Sequence, residues 1–161
     1  MRGGLGERGA AELAAFVDAG GTLVAFNEAS DYAIHALSLP VKDVLEGTKP
    51  TEFYAPGSIF TVDLARDHPL AREMRAAPAI WFEDGPAFEI TDPSAATAVA
   101  TYPATGNPLL SGWLLGAERL NGKAALVEVR RGQGRVILFG FRPQYRGQSM
   151  ATYPLIWAAM K

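Results

Sequence analysis

The chain has 161 residues, of which 48% are hydrophobic and 20% are charged, a composition typical of a globular domain and not of a disordered segment. Its formal net charge of −2 provides no overall attraction to nucleic acid or to an anionic membrane. No apolar run approaches the length of a membrane-spanning helix, and the absence of cysteine excludes disulfides, thiolate metal sites and cysteine nucleophiles. We therefore expect neither a membrane nor a nucleic acid as partner.

The N-terminal part predicts half of a βαβ unit. Residues 7–19 place apolar side chains at helical spacing, and Gly20-Gly21 ends that helix. "TLVAF" (22–26) then predicts a buried strand, and a polar turn leads into a second helix, 31–38, with Ser30 or Asp31 as its N-cap. Because the chain begins almost directly on a helix, we expect residues 1–161 to be a single domain from the C-terminal part of a longer protein.

The remainder of the chain is richer in strand signals. We predict strands at 58–64 and 97–103, helical turns at 68–74, and a hairpin in which "AIWFED" and "AFEIT" flank Gly85-Pro86. The turn signals "NG" (121–122) and "RGQG" (131–134) predict that strands near 124–130 and 135–141 pair antiparallel. Residues 149–160 predict a closing helix in which Pro154 marks a kink or a late start.

Several catalytic motifs are absent or incomplete. Neither His35 nor His68 has a histidine or glutamate at the spacing of a zinc site, and no G-x-S-x-G elbow signals a serine hydrolase. Ser30 does lie at a strand-to-helix turn, where nucleophiles occur, but Glu28 and Asp31 beside it would raise the pKa of its hydroxyl and would not activate it. We therefore favour Ser30 as a helix cap.

The loop "RPQYRGQ" (142–148) is the strongest candidate for a binding site. It follows an apolar strand and contains Arg142, Gln144, Arg146 and Gln148. If strands 22–26 and 136–141 are parallel, this loop and the turn containing Glu28 and Asp31 share the carboxyl edge of the sheet, where ligands of open α/β sheets bind. The two interpretations are an ion pair between these arginines and acids, and a site for an anion or a peptide carboxylate.

Basic residues are concentrated between Arg119 and Arg146. This segment contains one acid, Glu128, and seven basic residues, at positions 119, 123, 130, 131, 135, 142 and 146. The simpler interpretation is the solvated face of a hairpin, and the alternative is a docking surface for an acidic partner.

Two long segments carry a resemblance to a known family. "GERGAAELAAFVDAGGTLVAFNEAS" (6–30) and "GRVILFGFRPQYRGQSMATYPLIWAAM" (134–160) resemble the class I glutamine amidotransferase-like domain. Together with "PGSIFTVDLARDHPLAREM" (56–74), they resemble the version found at the C-terminus of bacterial zinc carboxypeptidase-like proteins. The resemblance implies a flavodoxin-like, three-layer α/β sandwich with a mainly parallel sheet, an antiparallel β extension and one or more N-terminal strands missing.

The sequence departs from that family in its chemistry. True amidotransferases carry a cysteine in the turn after the strand that matches 22–26, whereas this turn reads Asn27-Glu28-Ala29-Ser30. The resemblance therefore implies a non-catalytic accessory domain of a zinc carboxypeptidase-like hydrolase, which serves in interdomain packing, oligomerisation or ligand recognition. Zinc is expected only in the peptidase domain of the parent. That domain would be the partner of this chain, and a homodimer is the other expected assembly. An exported parent is compatible with the sequence.

Two alternatives stay open at this point. One is a divergent stand-alone hydrolase that uses Ser30 or Glu28. The other is a polyanion-binding module that uses the basic face 119–146.

Overall fold

The computed structural model describes residues 5–74, 78–147 and 150–161. The helices are α1 (Gly6–Asp18), α2 (Glu28–Ala36) and α3 (Tyr153–Ala159). The strands are β1 (Thr22–Phe26), β2 (Val41–Asp43), β3 (Ser58–Thr61), β4 (Asp63–Leu64), β5 (Ala79–Phe82), β6 (Phe88–Ile90), β7 (Ala96–Thr101), β8 (Leu109–Ser111), β9 (Ala124–Arg131) and β10 (Gly134–Phe139). Short 3₁₀ helices at Ala117–Leu120 and Met150–Thr152 complete the regular structure of these residues.

A seven-stranded sheet forms the centre of the molecule. Its main path runs β1-β10-β9-β6-β2, with β7 also pairing with β9 and β4 with β7. Among the described strands, β1 and β10 form the one parallel pair of this sheet, and its other pairs are antiparallel. The expectation of a mainly parallel sheet is therefore wrong. Short connections explain the difference, since the two-residue turn Gly132-Gln133 between β9 and β10 leaves no room for a crossover helix.

A second, three-stranded sheet has the order β5-β3-β8. The predicted hairpin around Gly85-Pro86 is wrong, because β5 belongs to this small sheet while β6 pairs with β2 and β9 in the large one. The segment between β5 and β6 instead crosses from one sheet to the other. It is fixed there by the N–H of Ala87, which donates to Oδ1 of Asp43 at 3.0 Å.

Alternate side chains of the central strands supply two apolar cores. On β10, Val136 and Leu138 pack with residues of α1 and α2, while Ile137 and Phe139 face the small sheet and α3. Each of these four side chains is fully buried, and removing one such side chain from water contributes about 1.5–3 kcal/mol. Helices lie on both faces of the large sheet, so the expected α/β class is confirmed.

The helix boundaries refine the sequence prediction. α2 begins three residues earlier than expected, with Asn27 and not Ser30 or Asp31 at the N-cap position. The closing helix α3 begins only at Tyr153, with Pro154 in its first turn, where a missing N–H costs nothing. Pro154 therefore marks a late start of the closing helix, which is one of the two possibilities that the sequence predicts.

Candidate functional site

The turn between β1 and α2 holds Asn27 in a strained backbone conformation. Its φ of 52° and ψ of −129° lie outside the regions that non-glycine residues normally occupy. A residue with positive φ between a strand and a helix is the geometry of a nucleophile elbow, which exposes a reactive side chain above the sheet edge. Here the residue is an asparagine, whose amide is not a nucleophile.

Hydrogen bonds and close packing hold Asn27 in place. Its backbone N–H donates to the carbonyl oxygen of Phe139 at 2.8 Å, and its Nδ2 donates to the carbonyl oxygen of Glu83 at 3.1 Å. Gly85 packs so closely against this turn that a Cβ there would lie 2.6 Å from Oδ1 of Asn27. Oδ1 itself is buried and has no hydrogen-bond partner.

Ser30 is fully buried inside the first turn of α2. Its Oγ lies 2.9 Å from the carbonyl oxygen of Phe139 and 3.2 Å from that of Ala25, so the hydroxyl bonds to the backbone of β10 and β1. The prediction of Ser30 as the helix cap is wrong, because Asn27 holds the N-cap position, and the buried hydroxyl of Ser30 is not accessible for the alternative role of nucleophile. Glu28, one position after the elbow, is exposed.

A pocket of about 280 Å³ opens beside the elbow. It is formed by α2, the segment that follows β2 and the turn before β6. Three acids, Asp31, Asp43 and Asp84, line it together with Phe53 and Tyr54. The remaining lining residues are Leu45, Thr48, Pro50, Ala55, Gly85 and Pro86.

The two half-buried carboxyl groups of this pocket differ in their hydrogen bonding. Oδ1 of Asp43 accepts the N–H groups of Leu45 and Ala87, at 2.9 and 3.0 Å. Oδ1 of Asp31 is buried and has no partner. Burial, followed by the neighbouring charges of Asp43 and Glu46, raises the pKa of Asp31 to about 7. Burial also raises the pKa of Asp43, against the two N–H groups that favour its charged form.

The arginines of loop 142–148 do not reach this pocket. Nε of Arg142 lies 3.6 Å from Oε2 of Glu83, and none of the ion pairs among the described residues joins Arg142 or Arg146 to Glu28 or Asp31. The expected ion pair with Glu28 or Asp31 is therefore wrong, and Arg142 pairs with Glu83 instead. The reason is that Glu83 directly follows β5, and the N–H of Arg142 donates to the carbonyl oxygen of Trp81 in that strand.

The loop also makes ring-stacking and cation–π contacts. The ring of Tyr145 stacks on Trp81 with centroids 4.7 Å apart, and the guanidinium groups of Arg142 and Arg146 lie 5.7 and 5.5 Å from the Tyr145 centroid. Gln144 is exposed, and Gln148 lies outside the described residues. The contacts of Arg142 and Tyr145 attach the loop to the small sheet.

Five of the seven basic residues between 119 and 146 are paired with acids, four of them with acids outside this segment. The pairs are Arg119–Glu52, Lys123–Glu89, Arg131–Asp18, Arg135–Glu128 and Arg142–Glu83. Such pairing reduces the positive field that a polyanion would meet. The interpretation of this segment as part of a solvated surface accounts for the contacts better than a polyanion site does.

The part of the chain that the structure describes shows neither a metal-binding cluster nor a membrane-spanning helix. Within residues 5–74, 78–147 and 150–161, no group of three or more histidine, cysteine, aspartate or glutamate side chains is arranged to hold a metal ion. His35 pairs with Glu46 at 3.3 Å, and His68 lies 3.9 Å from Glu128. None of the helices in these ranges combines the length and the apolar character that crossing a bilayer requires.

Comparison with known proteins supports the fold alone. No model of a protein family matches the chain, and no curated protein matches it. Solved structures do match. A cytoplasmic protein of Salmonella typhimurium superposes with a TM-score of 0.58 at 15% identity, covering 94% of this chain and 58% of its own. A β-galactosidase of Bacillus circulans sp. alkalophilus superposes with a TM-score of 0.57 at 16% identity, covering 93% of this chain and 20% of the enzyme.

A second β-galactosidase, from Rahnella sp. R3, gives a TM-score of 0.56 at 16% identity and covers 92% of this chain and 20% of its own. The chain thus spans little more than half the length of the Salmonella protein and about one fifth of the two enzymes. The fold is of the α/β class. At these identities the likeness says nothing further about activity.

Proposed function

We propose that this chain is a non-catalytic accessory domain of a larger hydrolase, in which it recognises a ligand or packs against the catalytic domain. The observation that carries the proposal is the elbow, where the strained position is occupied by Asn27, whose amide is buried, and the hydroxyl of Ser30 is bonded to a backbone carbonyl oxygen. A domain with the geometry of a nucleophile elbow and no nucleophile retains a pocket without covalent chemistry.

The parent that we propose is a zinc carboxypeptidase-like hydrolase. Its basis is the resemblance of residues 6–30, 56–74 and 134–160 to the amidotransferase-like domain of such proteins, with a flavodoxin-like sandwich as the finer description of the fold. Similar folds occupying one fifth of two β-galactosidases give an independent precedent for a domain of this kind within a hydrolase. Zinc would belong to the peptidase domain, and that domain would be the partner of this chain.

A second candidate function is acid–base hydrolysis by this chain alone. It is favoured by one observation, the carboxyl group of Asp31, whose pKa of about 7 suits proton transfer near neutral pH. In this candidate Asp31 takes the catalytic role that the sequence suggests for Ser30, because Ser30 is inaccessible. Glu28, the other residue suggested for that role, is exposed on the same helix.

Turnover assays of the purified chain separate the two candidates. We expect no release of product from glutamine, peptide, ester or glycoside substrates, with or without added zinc. Chelator-sensitive peptidase activity, or any turnover that Asp31→Asn abolishes, would overturn the accessory role. The coding sequence upstream of Met1 tests the parent, and a frame that does not encode the histidine and glutamate ligands of a zinc peptidase contradicts it.

A further inference from the structure

The pocket beside the elbow is negatively charged and has apolar walls. Asp31, Asp43 and Asp84 contribute carboxyl groups, while Phe53, Tyr54 and two prolines contribute apolar surface. Among the described residues that line it, none is a lysine, an arginine or a histidine. At about 280 Å³ the pocket is close to the lower end of the range for small-molecule sites, about 300 Å³, so it suits a single small group.

One acid of this pocket has an unsatisfied hydrogen-bond acceptor. Oδ1 of Asp31 is buried and has no donor. Asn27 is only 6% exposed and does not line the pocket, and its Oδ1, which also has no donor, packs against Gly85 of the pocket wall. A buried acceptor without a partner is costly, so a ligand that brings N–H donors to Asp31 suits this pocket.

We propose that this pocket binds the guanidinium group of an arginine-type ligand, with Asp31 and Asp43 as its counter-charges and Tyr54 and Phe53 against its planar faces. A guanidinium has five N–H donors and no acceptor, which matches a pocket lined by three carboxyl groups and by no cationic side chain. It is planar, weakly hydrated and stacks on aromatic rings, whereas an ammonium group is a compact point charge. The inference rests on the ligand-recognition form of the proposed function and names its ligand class.

The charges around Asp31 determine how binding depends on pH. Asp43, Glu46, Glu28 and His35 act on Asp31 from α2 and from the segment after β2, and Asp84 lines the same pocket. With a pKa of about 7, Asp31 is mostly protonated at pH 6 and mostly ionised at pH 8. Because the cation binds the carboxylate, we expect the affinity to rise by about tenfold between those two pH values.

Calorimetric titration with Nα-acetylarginine amide tests the proposal, with Nα-acetylcitrulline amide as the neutral probe of the same shape. We expect the arginine probe to bind at least tenfold more tightly than the citrulline probe. Asp31→Asn is expected to abolish that preference, while Asp63→Asn, an exposed acid on β4 outside the pocket, leaves it unchanged. Equal affinity for the two probes, no saturable binding of the arginine probe, or an equal loss in Asp63→Asn overturns the proposal.

Tyr54→Ala provides a second variant should Asp31→Asn fail to fold, because Tyr54 is exposed. It should weaken the arginine probe and leave the melting temperature nearly unchanged. An unweakened Tyr54→Ala also counts against the proposal. These titrations are independent of the turnover assays. If the chain shows turnover and still prefers the arginine probe, the accessory role fails and the ligand class stands. If the chain shows no turnover and binds both probes equally, only the ligand class fails.

Discussion

Oγ of Ser30 lies 2.9 Å from the carbonyl oxygen of Phe139, a residue 109 positions away in the chain. The contact joins α2 to β10, which is the neighbour of β1 in the sheet. It also directs the hydroxyl into the protein, at a turn where many α/β enzymes present a reactive group to substrate. The position therefore contributes to stability and not to chemistry.

Ser30→Ala should destabilise the protein without affecting ligand binding. The substitution removes one hydroxyl hydrogen that the carbonyl oxygens of Ala25 and Phe139 share, while that of Phe139 keeps the N–H of Asn27, so the expected cost is about 1 kcal/mol. Chemical denaturation followed by circular dichroism measures it. Ser94→Ala, on an exposed turn, is the control and should change stability by less than about 0.5 kcal/mol. A Ser30→Ala protein as stable as the parent would contradict the anchoring role.

At position 27 the alanine variant should be less stable than the glycine variant, which reverses the usual order of stability for these two residues. Both Asn27→Gly and Asn27→Ala lose the hydrogen bond to Glu83, but alanine is additionally strained at a φ of 52°. We expect Asn27→Ala to be less stable than Asn27→Gly by about 1 kcal/mol, although glycine has the more flexible unfolded chain. Denaturation of the two variants side by side provides the measurement, and equal stability would show that the elbow relaxes.

The local elements could be predicted from the sequence because their signals are local. The strand 22–26, the Gly20-Gly21 stop and the β9–β10 hairpin each follow from a short pattern of side chains. Strand direction in the rest of the sheet depends on which distant segments pair, and no short pattern records that. Hence the separation of β5 and β6 into different sheets could not be read from "AIWFEDGPAFEIT".

The candidate site was predicted only in part for the same reason. The sequence places Glu28, Ser30 and Asp31 together after strand 22–26, but they belong to α2 and not to a turn before it, and the acids that face Asp31 and Arg142 come from elsewhere. Asp43 and Asp84 are single acids in unremarkable segments, and nothing local distinguishes Glu83 as the partner of Arg142. A weak signal did exist for the elbow, since asparagine tolerates positive φ better than most residues and follows a buried strand directly.

Asp31→Asn should stabilise the protein at alkaline pH and have little effect at acidic pH. In the folded chain the pKa of Asp31 is raised from 3.8 to about 7, so the folded state binds its proton more tightly than the unfolded state. Ionised Asp31 therefore reduces stability, and the reduction develops as the pH rises from about 4 to about 7. Thermal melts at pH 5 and pH 8 measure the difference, with Asp63→Asn as control. A difference that is larger at pH 5 would contradict the raised pKa.

The pair Arg142–Glu83 should contribute only modestly to stability. Both side chains are partly exposed and the separation of Nε and Oε2 is 3.6 Å, so we expect a coupling of about 0.5–1 kcal/mol. A double-mutant cycle of Arg142→Ala and Glu83→Ala isolates this coupling from the loss of contacts with Tyr145 and Trp81. The same cycle on Arg119 and Glu52, a surface pair at 3.7 Å, provides the comparison. A coupling of zero would mean that the loop depends on its aromatic stack alone.

The outer edge of β1 should mediate self-association of the isolated chain. The N–H of Asn27 donates to Phe139 and the carbonyl of Gly21 accepts from Arg135, so alternation turns the backbone groups of residues 22, 24 and 26 away from β10. Among the described strands, β1 pairs only with β10, and Phe16 and Phe26 are exposed nearby.

An unpaired edge beside apolar side chains invites pairing with another chain. We expect light scattering to show a dimer that forms with increasing concentration. Val24→Pro removes one outward N–H and should leave a monomer with unchanged far-ultraviolet circular dichroism, because proline is tolerated on edge strands. Leu110→Lys, at the edge of the small sheet, should leave the dimer intact. If the unsubstituted chain stays monomeric at the highest concentration reached, or if Leu110→Lys dissociates the dimer as Val24→Pro does, β1 is not the contact.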